Sequence, residues 1–464
     1  MDQRNPGPGP ARGWRPGRGV GLAAGGLLAA GLALAMAVAA SVTVTREGRE
    51  PREGRGGPGA AAGRDPAEGG QPGAEADAPS AAGQPGGGPG APAEAGHPGA
   101  GSDAPAAGLP PPAEDPAADW VPYDGPVEHI FFHPLIVYPE LAFDGDFMAQ
   151  GYDDWFVTVP EFQAILGALY QRGYVLVGVG DLFEERVENG RTVLVRKELR
   201  LPPGKRPLVL SIDDLNYYAY MRENGNAHRL VVDDDGRVAA LVVTPRGQRF
   251  VSRRAEIVPI LDDFVAAHPD FSLNGAKGII ALTGYEGILG YATHDPAAPG
   301  YEAERREALR VVERLKATGW SFASHGWGHR DAARIRLESL VADTDRWKRE
   351  VESLVGPTPV YIFPFGSGVR PGDPKFEALL ERGFRILCGV GPRPYLEVTD
   401  RYAWMDRRHI DGLALRTQGD LLRELFDPEA VVDPARPWAP PGAGRPGRTE
   451  LESLREPGPG FLRE

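Results

Sequence analysis

Residues Arg46 to Ala118 contain no aromatic residue, no Ile, Val or Met, and one Leu, Leu109. A stretch so poor in apolar side chains cannot bury enough surface to offset the entropy of ordering itself. It is expected to be a disordered linker over 46–118, partly extended by its Gly, Pro, Ala and Glu content. The 464 residues include 62 Gly and 46 Pro, too many for one compact domain. Their concentration here and after residue 434 leaves a core-forming sequence between. One folded domain is therefore expected over 119–434, with 435–464 a disordered tail.

The sequence before the linker reads as a membrane segment. Arg4, Arg12, Arg15 and Arg18 precede 27 uncharged residues, Gly19 to Thr45, and Arg46 closes the run. A helix needs roughly 20 residues to span a bilayer. The basic flank predicts a cytoplasmic segment over 1–18, a transmembrane signal anchor over 19–45 in contact with the lipid bilayer, and an extracellular domain on a single-pass protein of the cell membrane. The alternative is a signal peptide cleaved after the small residues Ala37-Val38-Ala39, which would give a secreted product. A formal charge of −13 argues against nucleic acid as a partner. With Cys388 the single cysteine, neither a disulfide framework nor a multi-cysteine metal site can form, and no disulfide-linked partner is expected. Any metal must be held by His and carboxylate.

Between 119 and 434, short β-type runs alternate with helical patterns. Strands are predicted at Ile130 to Val137, Leu208 to Ile212, Gly278 to Leu282, Ser321 to Ser324, Tyr361 to Phe363 and Arg385 to Gly389, with a last one reaching His409. Helical stripes are formed by Phe162, Ile165, Leu166 and Leu169, by Ile257, Ile260, Leu261 and Phe264, by Leu309, Val312 and Leu315, by Leu340, Thr344, Trp347 and Val351, and by Phe376, Leu379 and Leu380. Repeated strand-helix units imply an α/β fold with a parallel sheet closed, or nearly closed, into a barrel. The region around 228–252, with turn signals at Asp234-Asp235-Gly236 and Pro245-Arg246-Gly247, predicts a small antiparallel β insertion.

In such a barrel, chemistry sits where strands end at their C-terminal side. Asp213-Asp214 follows one predicted strand, His325-Gly326-Trp327-Gly328-His329 another, and Pro364-Phe365-Gly366 a third. Two His and one carboxylate leave an open position on a zinc-like ion, as a catalytic metal requires. The second carboxylate is then free for proton transfer. Each piece alone is ordinary, since an Asp-Asp pair usually marks a solvated turn and a His-x3-His spacing arises by chance. Their joint order on successive strand ends is the specific signal. His133, at the end of the first predicted strand, reads equally as a core histidine with a hydrogen-bond partner.

That ordered set resembles the polysaccharide deacetylase family, carbohydrate esterase family 4, whose catalytic part is the chitooligosaccharide deacetylase homology domain. Ser211-Ile212-Asp213-Asp214 is similar to its Thr-Phe-Asp-Asp-Gly motif, Ser324 to His329 to its Ser-His-Thr-x-x-His motif, and Phe363 to Gly366 to its Pro-Tyr-Gly segment. The resemblance spans roughly Pro126 to Leu415. It implies a distorted (β/α)7 barrel and metal-dependent removal of an N-acetyl or O-acetyl group from a cell-wall or extracellular polysaccharide, so the expected partner is an acetylated polymer. Residue by residue, it implies Asp214, His325 and His329 as ligands of a divalent ion, Zn²⁺ first with Co²⁺ or Mn²⁺ as substitutes, and Asp213 as the base. Backbone N–H groups near Phe365 and Gly366 would hold the oxyanion. Tyr285, Glu286 and Trp327 are placed as candidates to line the substrate cleft. His409 matches the late His that some members use as general acid, and reads equally as part of a structural salt-bridge and hydrogen-bond cluster.

Three departures stand out. Leu215 replaces a Gly and would change the wall beside the base, Gly326 replaces a Ser or Thr, and Ile362 replaces an Arg that pairs with the base carboxylate. Arg407 or Arg408 is expected to supply that charge from the last strand. The rival readings are a non-catalytic carbohydrate-binding relative of the same fold and a metal-dependent amidohydrolase acting on a small molecule or peptide.

Overall fold

The computed structural model describes residues 119–439. The expected anchor over 19–45 and linker over 46–118, and the tail beyond 439, lie outside the described residues. Among those described, no helix is long and apolar enough to cross a membrane.

The barrel strands are β1 (Glu128–Phe132), β2 (Arg206–Asp213), β3 (Ile279–Leu282), β4 (Ser321–Ser324), β5 (Val360–Ile362), β6 (Ile386–Val390) and β7 (Ala403–His409). Each pairs in parallel with the next, and β7 pairs in parallel with β1, so the sheet closes on itself. Closure is uneven. The β4–β5 seam consists of a single pair, Ser324 with Tyr361. Two short strands attach to the barrel: Tyr174–Leu176 beside the start of β2, and Tyr395–Val398 antiparallel to β7.

Side chains alternate between two faces along each strand. Val209, Ile279, Ala281, Ala323, Val360, Ile362, Cys388 and Met405 pack together inside the barrel. Ile130, Phe132, Leu208, Leu210, Ile212, Ile280, Leu282 and Phe322 face outward under the helices. Those helices are α1 (Val159–Gln171), α2 (Ile257–Ala267), α3 (Tyr301–Ala317), α4 (Leu337–Trp347) and α5 (Pro374–Glu381). α1 shows why they form where they do: Thr158 and Glu161 make a reciprocal capping box, Pro160 lies in the first turn, and Phe162, Ile165, Leu166 and Leu169 recur on its buried face.

The predicted alternation appears with shifted ends. β1 stops at Phe132 instead of Val137, because Pro134 has no N–H for a ladder, and Ile136 makes only an isolated bridge with Thr158. The insertion is a three-stranded antiparallel sheet, Arg229–Val232, Val238–Val243 and Arg249–Ser252. A second hairpin, Phe183–Glu188 with Arg191–Arg196, is additional to the expected units. It turns at Asn189-Gly190, both at positive φ, as a two-residue hairpin turn requires.

The expected boundary at Pro434 is too early. Arg436 is fully buried and donates to both carboxylate oxygens of Glu161 at 2.8 Å, to Asp153 Oδ1 at 3.1 Å, and to the carbonyls of Asp153 and Phe156. Trp438 adds an indole N–H to the same Asp153 oxygen at 2.8 Å. Composition hides this, since two anchoring residues in a Pro-rich segment barely change its average. Arg436→Ala in the full chain should cost about 3–5 kcal/mol in denaturant unfolding, because it strands buried carboxylates.

A second prediction concerns pH. Glu256 caps α2 from a fully buried position, accepting from Ile257 N at 2.7 Å, Leu135 N at 3.3 Å and Tyr217 Oη at 3.1 Å. Burial pushes its carboxyl up to about 7 against these hydrogen bonds. The folded protein therefore keeps a proton that the unfolded chain releases above about 4.3. The associated stability is complete below that pH and is lost as pH rises through the folded value. Glu256→Gln should be more stable than wild type at pH 8, by on the order of 3 kcal/mol, with the gain shrinking toward zero at pH 5.

Candidate metal centre at the barrel mouth

Asp213 ends β2, and in an extended chain Asp214 would point to the opposite face. Asp214 instead adopts φ 59° in the left-handed region, with its N–H donating to Ala281 O at 3.1 Å, and this turn brings both carboxylates to the barrel mouth. Across the barrel, His325 follows β4 and donates from its backbone N–H to Leu282 O at 3.0 Å. The chain then winds around the carboxylate of Asp343 on α4, which accepts from Trp327 N at 2.7 Å and Gly328 N at 2.9 Å. Gly326 is required by this turn: its φ is +67°, and a Cβ there would lie 3.0 Å from Asp343 Oδ2. His329, at φ 49°, closes the turn with its ring against Phe365, 4.5 Å between centroids.

The ligand atoms of Asp214, His325 and His329 lie within 4.8 Å of one another. His329 Nε2 is 3.4 Å from Asp214 Oδ2, and the Asp214 side chain is 1% exposed. His325 places Nδ1 2.9 Å from Ile362 O, a contact only an N–H can satisfy, so Nε2 keeps its lone pair for the site. Burial lowers the pKa of both rings, His329 to about 4, and each is a neutral donor at pH 7. Two neutral imidazoles and a buried carboxylate fit a divalent cation.

Asp213 is built differently. Arg407 on β7 donates to Asp213 Oδ1 at 2.7 Å and Oδ2 at 3.0 Å, and also to Ser211 Oγ and Gly389 O, with its guanidinium 4.1 Å from the Phe131 ring centre. Burial alone would raise this carboxyl, but Arg407, aided by His325, holds it down to about 2. Arg408 takes the other face of the pleat, where it pairs with Glu128 at 2.6 Å and with Glu424, so of the two only Arg407 reaches Asp213. The registers explain the choice: Arg407 lies opposite Val390 of β6, and Arg408 opposite Ile130 of β1.

The remaining candidates separate. Phe365 is 38% exposed beside His329, and Gly366 lies at φ +63°, where a Cβ would meet the Val390 side chain at 2.6 Å. Tyr285 stacks on Tyr218, 4.7 Å between centroids. Glu286 is drawn to the backbone, accepting from Ala219 N at 2.9 Å. Trp327 lies beneath the Arg346 guanidinium at 3.4 Å and donates to Glu350 at 2.7 Å, so its ring is built into the α4 side of the site. Leu215 does not form a wall beside the base; it is buried in the strand-helix layer with Ile212 and Ile130. His409 has both nitrogens engaged, Nδ1 with Asp411 at 2.7 Å and Nε2 with Gln418 at 2.8 Å. His133, one pleat beyond the Phe131–His409 pair, holds Nδ1 at 3.0 Å from Trp155 O. Sequence reasoning omits Tyr218 and Asp343 from the site, since neither lies in a strand-end motif.

No protein-family model matches the sequence, and no curated protein does. Among solved structures, the chain is similar to the Streptococcus pyogenes deacetylase PplD in complex with acetate, at 14% identity over 64% of this chain and 99% of that one, with a TM-score of 0.36. It is similar to the BpsB deacetylase domain from Bordetella bronchiseptica, at 15% identity over 45% of this chain and 75% of that one, with a TM-score of 0.25. A third similarity is to the chitin deacetylase from the fungal pathogen Colletotrichum lindemuthianum, at 13% identity over 37% and 74% of the two chains, with a TM-score of 0.22.

Proposed function

We propose that this protein is a metal-dependent hydrolase that removes acetyl groups, N-acetyl first, from an acetylated carbohydrate polymer outside the cell, where the expected membrane anchor would hold it. One observation carries the reading: a buried Asp214–His325–His329 donor set beside a second carboxylate, Asp213, that is kept ionised by Arg407. A barrel that only bound sugar would have no use for a desolvated Asp-His-His set beside a second carboxylate. The resemblance of the motifs to polysaccharide deacetylases supplies the substrate class.

Asp214, His325 and His329 would hold the divalent ion, whose chemistry is to polarise the acetyl carbonyl and to acidify water. Asp213 takes the proton from the attacking water. Each of its oxygens keeps a lone pair after accepting from Arg407, and Oδ2 lies 4.0 Å from His325 Nε2. Arg407 trades basicity for permanent ionisation, which suits a base facing acidified water. The backbone N–H of Phe365 would serve the oxyanion at the same mouth. As the tetrahedral carbon collapses, the C–N bond breaks, acetate forms, and the leaving amine needs a proton. What supports His133 as the donor, ahead of His409, is its place just past the end of β1 and its Nδ1 hydrogen bond to a carbonyl, which leaves Nε2 uncommitted to that bond. His409 would first have to release Gln418.

Purified protein should bind about one divalent ion per chain by elemental analysis, and His325→Ala or Asp214→Ala should lose most of it. Asp213→Asn should retain the ion and lose release of acetate from acetylated glycans. Equal metal content in the two Asp variants would reverse the assignment of base and ligand.

The acid is tested separately. His133→Gln should slow amide cleavage by ~10²-fold or more while sparing an activated acetyl ester, whose leaving group needs no proton. His409→Asn should cost less than ~10-fold on either substrate. The opposite ranking would make His409 the acid.

A further inference from the structure

Asp214 presents two oxygens, and they meet different surroundings. Oδ2 faces His329 Nε2 at 3.4 Å, whereas Oδ1 accepts from the hydroxyl of Tyr218 at 2.7 Å. Tyr218 is fully buried, and its hydroxyl also contacts Thr283 Oγ1. A carboxylate only accepts, so the single Tyr218 proton must go to Asp214, and the Thr283 hydroxyl must donate to Tyr218. The protons therefore run one way, Thr283 to Tyr218 to Asp214, and each bond polarises the next.

The outer end of this relay is also fixed. Asn216 accepts from Thr283 N at 3.3 Å and donates to Thr283 O at 3.0 Å and to Gly287 O. The Tyr218 ring stacks against Tyr285 at 13° between planes and against Tyr220 at 25°. Residues 214–218 follow β2 and residues 283–287 follow β3, so two neighbouring mouth loops are bound together through the group that touches Asp214.

We propose that Tyr218 is the positioning residue of the metal centre, engaging Asp214 Oδ1 so that Oδ2 alone is offered to the ion, with Thr283 and Asn216 fixing its direction. Unlike the substrate assignment, this needs only that Asp214, His325 and His329 bind an ion. Tyr218→Phe keeps the stacked ring and removes one hydroxyl, leaving both Asp214 oxygens open to the ion.

The test is a titration of the metal-free full-length protein with Zn²⁺ and with Co²⁺. Tyr218→Phe is expected to bind Zn²⁺ 10–100-fold more weakly than wild type. Its Co²⁺ visible bands should change in intensity and position, reporting altered carboxylate coordination, while the melting temperature of the metal-free variant stays close to wild type. Thr283→Val, which removes the outer donor and leaves the Tyr218 hydroxyl, should weaken binding by a smaller factor of about 3–10; it carries the test if Tyr218→Phe does not fold. Wild-type affinity and an unchanged Co²⁺ spectrum in the folded variant would overturn the proposal while leaving the metal centre intact. A wild-type protein that takes up neither ion would overturn the metal centre itself.

Discussion

A guanidinium inside a strand barrel is costly to desolvate, and Arg407 is sustained there by the acceptors around it: both oxygens of Asp213, the hydroxyl of Ser211 and the carbonyl of Gly389. Removing Asp213 would leave that buried charge uncompensated. His129, which is fully buried and 3.1 Å from Ser211 Oγ, sits next in this interior column, and burial together with Arg407 pushes its pKa well below the ordinary value. The barrel interior therefore carries a fixed positive charge just beneath the mouth, and it holds the carboxyl of Asp213 down to about 2.

The same economy appears at the weakest seam. β4 and β5 share one ladder pair, and just beyond it the His325 ring spans the gap to Ile362 O. The side chain that extends the seam is also the one that offers Nε2 to the site. Ile362, where the resembled family carries an Arg, thus contributes through its backbone carbonyl while its side chain fills the interior, and the missing positive charge arrives from β7.

Much of this was legible in the sequence because it is local. A strand followed directly by Asp213-Asp214, another followed by His325 to His329 and a third by Pro364 to Gly366 need only the barrel rule to be brought to one end. What could not be read depends on register or on reach. Arg407 and Arg408 are chemically alike, and only the pairing of β7 with β6 and β1 decides which faces inward. Tyr218, Asp343 and Arg436 act through side chains from outside the motifs, where no spacing rule applies. Asn189-Gly190 carries a strong hairpin signal, but its flanking strands are mostly exposed and lack a clear apolar face.

The Arg436 anchor also sets an order of events. Its partner Glu161 lies 275 residues earlier in the chain, and the Glu128–Arg408 pair across the β1–β7 junction is separated by 280. On a chain that emerges from its N-terminus, β1 and α1 are made long before the segments that neutralise them. Their acidic groups must wait in solvent, since burying them unpaired would be prohibitive. Barrel closure is thus a late, long-range event with the slow kinetics such contacts impose. A chain that cannot complete its core until its last folded segment is present must keep its early segments soluble without their partners until then.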